Sequence, residues 1–426
     1  MRKTFRLFIL TVLTTLFSAA AGAITTAEED YYRTIMLSGE DIAVAVGKPV
    51  DQLSLFAVVD GLLEPVPYQI DEYNQGGAVY FDEWDEPIDG TRGIFDPSDK
   101  LLFLFGDSST RKTAGMRADG DIIAEIVLEP AEGEPRYVYL VEGSRLRSDA
   151  QHVRYSIADS RVETDFFSMV FDKENQLIWK DFRFIDYQGG SPIDGLKINF
   201  ESGVLTAATS MSFNNENFIA KTVGENVGPI RTTTQLHFTF VFMGLTFIDA
   251  SIQLHFYPNA LIYDVRLVIP ETRRAMLVDP TMALSVDFNN LVGATVHTNF
   301  LEAPLEVDGA MSEREQAARG TLVAPEQNGL LIKSGRGFEI LTFVDWIGEQ
   351  PLPTRFYYED NLTHQGAMDR FEGQLPDIGY QVSDFPEKGL FGYVGSLYFS
   401  DEFSGDTPKE VADKVRTSPT VRINEH

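Results

Sequence analysis

Along most of the chain, apolar residues recur at every second position in short runs rich in Val, Ile, Phe, Tyr and Thr. Gly, Pro, Asn and Asp punctuate the gaps between them. That period is the signature of half-buried β-strands. Such runs cover Leu53–Val59, Leu101–Phe105, Ile122–Leu128, Arg136–Val141, Leu196–Phe200, Thr232–Phe242, Phe247–Tyr257, Leu261–Ile269 and Phe338–Val344. Strands this closely spaced, with few helical segments between them, indicate a sandwich or barrel rather than βαβ units. No fixed-period repeat occurs, which disfavours a propeller or solenoid. Two helices are predicted, each from a capping box. Ser312-Glu313-Arg314-Glu315 opens a segment to about Arg319, and Thr407-Pro408-Lys409-Glu410 opens one to about Val415.

The stretch from Ile230 to Ile269 is the most regular. Leu236, Phe238, Phe240 and Phe242 alternate with Thr233, Gln235, His237 and Thr239. In the next run Ile248, Ala250, Ile252, Leu254 and Phe256 alternate with Asp249, Ser251, Gln253 and His255. Both apolar sets are even-numbered, so they share a face only when paired residue numbers sum to an even value. A hairpin turn of odd length through Met243-Gly244-Leu245 is expected, and it sets His237 and His255 on one polar face with Gln235 and Gln253. A third strand after Pro258-Asn259 extends that face with Asp264 and Arg266. A polar sheet face is commonly just solvated. The chemically specific alternative is a groove holding a polyhydroxylated ligand. Histidine, Asp264 and Arg266 would then be the candidates for proton transfer, and Gln235 and Gln253 for ligand contact.

These patterns give an all-β chain: a large antiparallel two-sheet sandwich with a smaller N-terminal β domain and few short helices. The expected layout is a signal peptide over 1–23, an N-terminal β domain with an acidic loop over 24–150, the sandwich over 151–400, and a C-terminal helix and tail over 401–426. The signal peptide is read from Arg2, Lys3 and Arg6, the short apolar run Leu7 to Phe17, and the Ala21-Gly22-Ala23 cleavage pattern. The apolar run is too short to span a bilayer, so a periplasmic or secreted mature chain without a membrane span is expected.

Composition narrows the chemistry. The 426 residues are 43% hydrophobic, enough for a sizeable core, and carry a formal charge of −29, which disfavours nucleic acid as a partner. With no cysteine, disulfides, Cys-based zinc sites and thiol nucleophiles are excluded. Acidic residues crowd between Asp71 and Asp107, and Asp82, Asp85 and Asp89 are the candidates for calcium there, against the simpler reading of a solvated acidic loop without cofactor. Trp84 is a candidate plane for stacking on a sugar ring, although aromatic residues in β-proteins more often belong to the core. There is no G-x-S-x-G elbow, H-E-x-x-H helix, P-loop or G-x-G-x-x-G, and His152, His297, His364 and His426 lack metal-ligand spacing.

Two segments carry a resemblance. Val66-Pro67-Tyr68-Gln69-Ile70-Asp71, followed by Asp99-Lys100-Leu101-Leu102-Phe103, resembles a VPxQxD…DELVF pattern of secreted bacterial β-proteins, with Lys100 where the pattern has Glu. Gly228-Pro229-Ile230-Arg231, opening a long strand, is similar to a segment of the galactose-mutarotase-like, or super-sandwich, group. The resemblance implies a large sandwich with a carbohydrate groove on one sheet, and lyase or epimerase activity. It assigns no catalytic residue here. The competing reading is a non-enzymatic periplasmic carrier of an apolar ligand, or an envelope-assembly protein, motivated by 31 Phe and the missing catalytic signatures.

Overall fold

The computed structural model describes residues 28–82, 86–242, 245–268, 270–347, 352–366, 369–385 and 390–426. The signal segment, Trp84 and Asp85 lie outside them. Among the described residues five sheets form, all antiparallel, and the chain is an all-β sandwich with appended β structure. No helix among them is long and apolar enough to cross a membrane.

Two sheets make the sandwich. One has nine strands and includes Phe218–Val227, Thr232–Phe242, Leu245–Tyr257, Ala260–Val268 and Leu390–Ser400 in that spatial order. The other has six strands, with Ile193–Val204, Leu277–Phe288, Gln374–Val382 and Thr354–Asn361 adjacent. Alternate residues of both sheets meet in one core: Leu236, Phe238, Ile252 and Leu254 from the first, and Ile198, Leu284, Val286, Ile378, Tyr380 and Phe356 from the second. A four-stranded sheet spanning Val153 to Phe184 adds Phe167, Phe182 and Phe184 to that core, where they pack edge-on and stacked against Phe338 and Phe399. Period-two burial leaves each main sheet a second face; on the nine-stranded sheet it is polar around Gln235 and Gln253, while further along Leu331, Leu341 and Phe343 pack on Val411 of the C-terminal helix.

Residues 34–142 build a separate core between a three-stranded and a five-stranded sheet, around Leu53, Leu55, Phe103, Ile126 and Leu140. Both capping boxes form: Ser312 and Thr407 accept from the backbone N–H of Glu315 and Glu410, which cap back. After the helix Pro408–Arg416, the stretch expected as a tail is a strand, Thr420–Glu425. It pairs with Asp121–Glu129 and packs Val421 and Ile423 on the N-terminal core.

The hairpin departs from expectation in one respect. The strands end at Phe242 and resume at Leu245, a turn too short to keep both apolar sets on one side. A bulge between Phe240 and Val241 restores the parity. Gln235 therefore faces Gln253, Thr233 faces His255 and His237 faces Ser251.

Candidate functional site

The predicted polar face exists, with His237 and His255 on the same side and Asp264 and Arg266 extending it opposite Gln253 and Ser251. The structure corrects the expectation of an open groove, because the N-terminal unit lies across the face. Gln253 accepts from the Val79 N–H at 3.1 Å and donates to the Val79 carbonyl at 2.8 Å and to Gln235 at 2.9 Å. Gln235 donates to Ser251. His255 is buried, 3.0 Å from the Thr233 hydroxyl. Burial, then Arg231 and Arg266, hold its pKa well below the ordinary imidazole value, so it stays neutral. Arg266 pairs with Asp264 and donates to the Gly76 carbonyl at 3.3 Å; His237, half-buried, lies at the margin.

The two resemblance segments meet here. The Gln69 side-chain oxygen accepts from the N–H groups of Ile230 and Arg231 at 3.1 and 2.7 Å, and its amide donates to Asp71 at 2.9 Å. Asp71 forms a buried ion pair with Arg231, whose guanidinium also donates to Tyr257 at 2.9 Å. A Cβ on Gly228 would lie 2.2 Å from the Gln69 oxygen, so only glycine permits that approach. The paired segments are two halves of one seam.

Of the calcium candidates, Asp82 pairs with Arg92 and accepts from Tyr80, and Asp89 is exposed. Among the described residues, the carboxylates that gather closely enough to hold a cation are elsewhere: Asp194, Asp287 and Asp369, with oxygens within 4.8 Å of one another. The Lys197 ammonium pairs with two of these three, Asp287 and, at 2.7 Å, Asp369, so the chain supplies its own cation there.

Asp194 and Asp369 of this cluster line, with Lys197, a cleft of about 430 Å³ on the polar side of the six-stranded sheet, a volume typical of small-molecule sites. Register builds it. Asp287 stands directly opposite Asp377, and Asp377 opposite Glu359, so three neighbouring strands present a row of carboxyls. Lys197 sits one strand further, opposite Ser285. Gly379 allows the close approach: a Cβ there would lie 2.0 Å from the Leu284 carbonyl oxygen. The loop preceding Gln374 is held over the cleft by Asp194, which accepts from the Arg370 N–H at 2.9 Å while the guanidinium returns to the Asp194 carbonyl at 2.7 Å.

Electrostatics distinguish the row from an ordinary wet face. Asp287 and Asp377 are 0% and 1% exposed, and each keeps an oxygen, Oδ1, without a hydrogen-bond partner. Burial first, then Asp377, raise Asp287 to about 8, against the pull of Lys197. Burial likewise raises Asp377, opposed by Lys197 and the nearby Ser285 and Tyr357 hydroxyls. Two carboxyls facing each other in a dry site each make the other harder to ionise. Lys197 contacts Asp287 directly and opposes the rise of both carboxyls. Burial lowers the lysine, but Asp377 and Asp287 more than reverse this and keep it charged. The other Asp377 oxygen receives Gln374 at 3.2 Å and Tyr357 at 3.4 Å. Glu359 is held by Arg319.

Sequence reading missed this site. Its trace is the parity of charged residues inside apolar strands: Lys197 in Ile193–Val204, Asp287 in Leu277–Phe288, Asp377 in Gln374–Val382 and Glu359 in Thr354–Asn361.

No family model and none of the curated proteins matches the chain. Among solved structures it is similar to an alpha-mannosidase from Enterococcus faecalis V583, with 9% identity and a TM-score of 0.45 over 92% of this chain and 44% of that one. A glycosyl hydrolase family 38 protein from Enterococcus faecalis gives 9% and 0.45 over 93% and 46%. The Slr1438 protein from Synechocystis sp. PCC 6803 gives 10% and 0.35 over 60% and 97%. The chain spans less than half the length of the two Enterococcus chains, and likeness at this level carries no functional argument.

Proposed function

We propose that this is an exported protein that binds carbohydrate in the cleft of the six-stranded sheet. The observation that carries the reading is the cleft itself, about 430 Å³ in volume and lined by the carboxyl residues Asp377 and Glu359. Asn199, Asn214, Gln374 and Tyr357 line the same cleft with amides and a hydroxyl. Such groups match a polyhydroxylated ligand, because each sugar hydroxyl both donates and accepts. An apolar cargo fits less well. Described apolar voids between the main sheets measure about 60 and 50 Å³, far below the usual size of a ligand pocket.

Calorimetric titration of the intact protein with a panel of neutral oligosaccharides tests the reading. Binding is expected to weaken about tenfold in Tyr357→Phe and to be unchanged in His237→Ala, which lies on the other sheet. Absence of binding across the panel, or its loss in His237→Ala alone, would falsify the proposal.

A further inference from the structure

We propose that a second cleft, where the N-terminal unit, the sandwich and the C-terminal helix meet, binds a small hydroxylated carboxylate of the sugar-acid class. It shares no residue with the cleft of the six-stranded sheet and stands apart from the reading given to that cleft.

Three stretches distant in the chain build it. Tyr32 and Arg33 precede and Thr34 opens the first strand of the N-terminal unit; Asn259 and Ala260 lie at the turn joining two sandwich strands; Arg416 ends the helix. The volume is about 260 Å³, just under the usual range of about 300–1,000 Å³, which suits a single ring or a short acid rather than a long chain. The floor is aromatic and apolar. Tyr257 and Ala260 belong to a buried cluster on which Tyr32, Ile262 and Tyr398 pack.

Charge sets this cleft apart. The chain has 64 acidic residues and a formal charge of −29. The clefts of about 430 and 380 Å³ are lined by several carboxyl residues each, among them Asp369 in the first and Glu72 in the second. Among the described residues lining the smaller cleft there are two arginines and no Asp or Glu.

Its polar groups are also unspent. Arg416 donates to Asp345 at 2.6 Å through one terminal nitrogen and rests over the Phe343 ring, 3.4 Å from the centroid, which holds it in place. A guanidinium has five donors, and the Arg416 side chain is 41% exposed, so it keeps accessible ones. Arg33, paired with Asp30 and bonded to the Lys414 carbonyl at 3.0 Å, adds a second positive charge to the wall. Among the described residues no hydrogen bond engages the Asn259 amide or the Thr34 and Ser418 hydroxyls, which also line the cleft. Guanidinium donors suit a carboxylate. An amide and two hydroxyls, which both donate and accept, suit the ligand's own hydroxyls. The tyrosine rings offer its carbon skeleton an apolar surface.

The test is calorimetric titration of the intact protein with D-glucuronate, its uncharged methyl ester and glucose at low ionic strength. Glucuronate is expected to bind, and the ester and glucose to bind at least about tenfold more weakly. Arg416→Gln should weaken glucuronate binding by about 10- to 100-fold, as for loss of a hydrogen bond to a charged group. Asn259→Ala should weaken it less. Tyr357→Phe, in the larger cleft, should leave glucuronate binding unchanged, and Arg416→Gln should leave the binding of neutral oligosaccharides unchanged, so the two sites fail separately. If Arg416→Gln misfolds, the parent's preference for the acid over its ester still decides. No binding of glucuronate, equal binding of acid and ester, or full affinity in a folded Arg416→Gln overturns the proposal.

Discussion

The polar face of the nine-stranded sheet and that of the six-stranded sheet are written in the same alternating code, yet they are used differently. On the first, Gln235 and Gln253 bond to each other and to Ser251 and Val79, while the Arg231 that opens the strand pairs with Asp71. On the second, Asp287 and Asp377 remain buried with unpartnered oxygens, and Asp377 is among the residues that line a cleft. A buried polar group without a partner is costly, by about 1–3 kcal/mol. Where a sheet face is structural, the chain avoids that cost by pairing its groups; where it retains the cost, the buried group is a candidate for function. The contrast locates the candidate site on the face that is less well satisfied.

Three measurements sharpen or break that contrast. The largest effect is expected at the seam. Arg231→Met leaves Asp71 buried and unpaired, and denaturant unfolding should show a loss of about 3–5 kcal/mol. A loss under about 1 kcal/mol would mean that the seam is not structural.

Next is the pH response of the same junction. The His152 ring lies 2.6 Å from Asp165 and 3.3 Å from Asp107, so it links the sandwich side to the N-terminal unit. Burial lowers its pKa, but Asp107 and Asp165 outweigh this and raise it to about 9. The folded state then binds more protons than the unfolded one between about pH 6.5 and 9. The stabilisation is complete below that window and falls by about 3 kcal/mol across it as pH rises. His152→Asn should flatten the melting temperature over this range; an unchanged slope would assign the pH response to other groups.

The smallest effect, and one of opposite sign, belongs to the cleft. Asp377→Asn removes a strained carboxyl, so stability at pH 7 should stay level or rise by up to about 2 kcal/mol. The folded-state pKa of Asp377 is raised, so the parent's proton-linked stability is present at low pH and lost as pH rises above about 4. The variant should lose that dependence. Marked destabilisation would place Asp377 with the structural groups instead.

Much was legible from local pattern. Strand positions, the two capping boxes, the shared side of His237 and His255, and the all-β class follow from period and capping chemistry, which depend on near neighbours alone. The shared face of the hairpin was legible, but neither its short connection nor its bulge was, because parity states that the faces must match and not by which device. The polar residues at Gln69, Asp71 and Arg231 were visible as conspicuous segments, but their mutual contact was not, since it joins positions some 160 apart.

By itself the sequence determined which residues alternate, and hence which positions of each strand share a side. Only the tertiary structure decided which polar side is sealed and which stays open. That choice depends on where the N-terminal unit docks and on the register of strands distant in the chain, which places Asp287, Asp377 and Glu359 in one row. Burial and mutual repulsion then make those carboxyls chemically unusual, and neither exists until the strands are side by side.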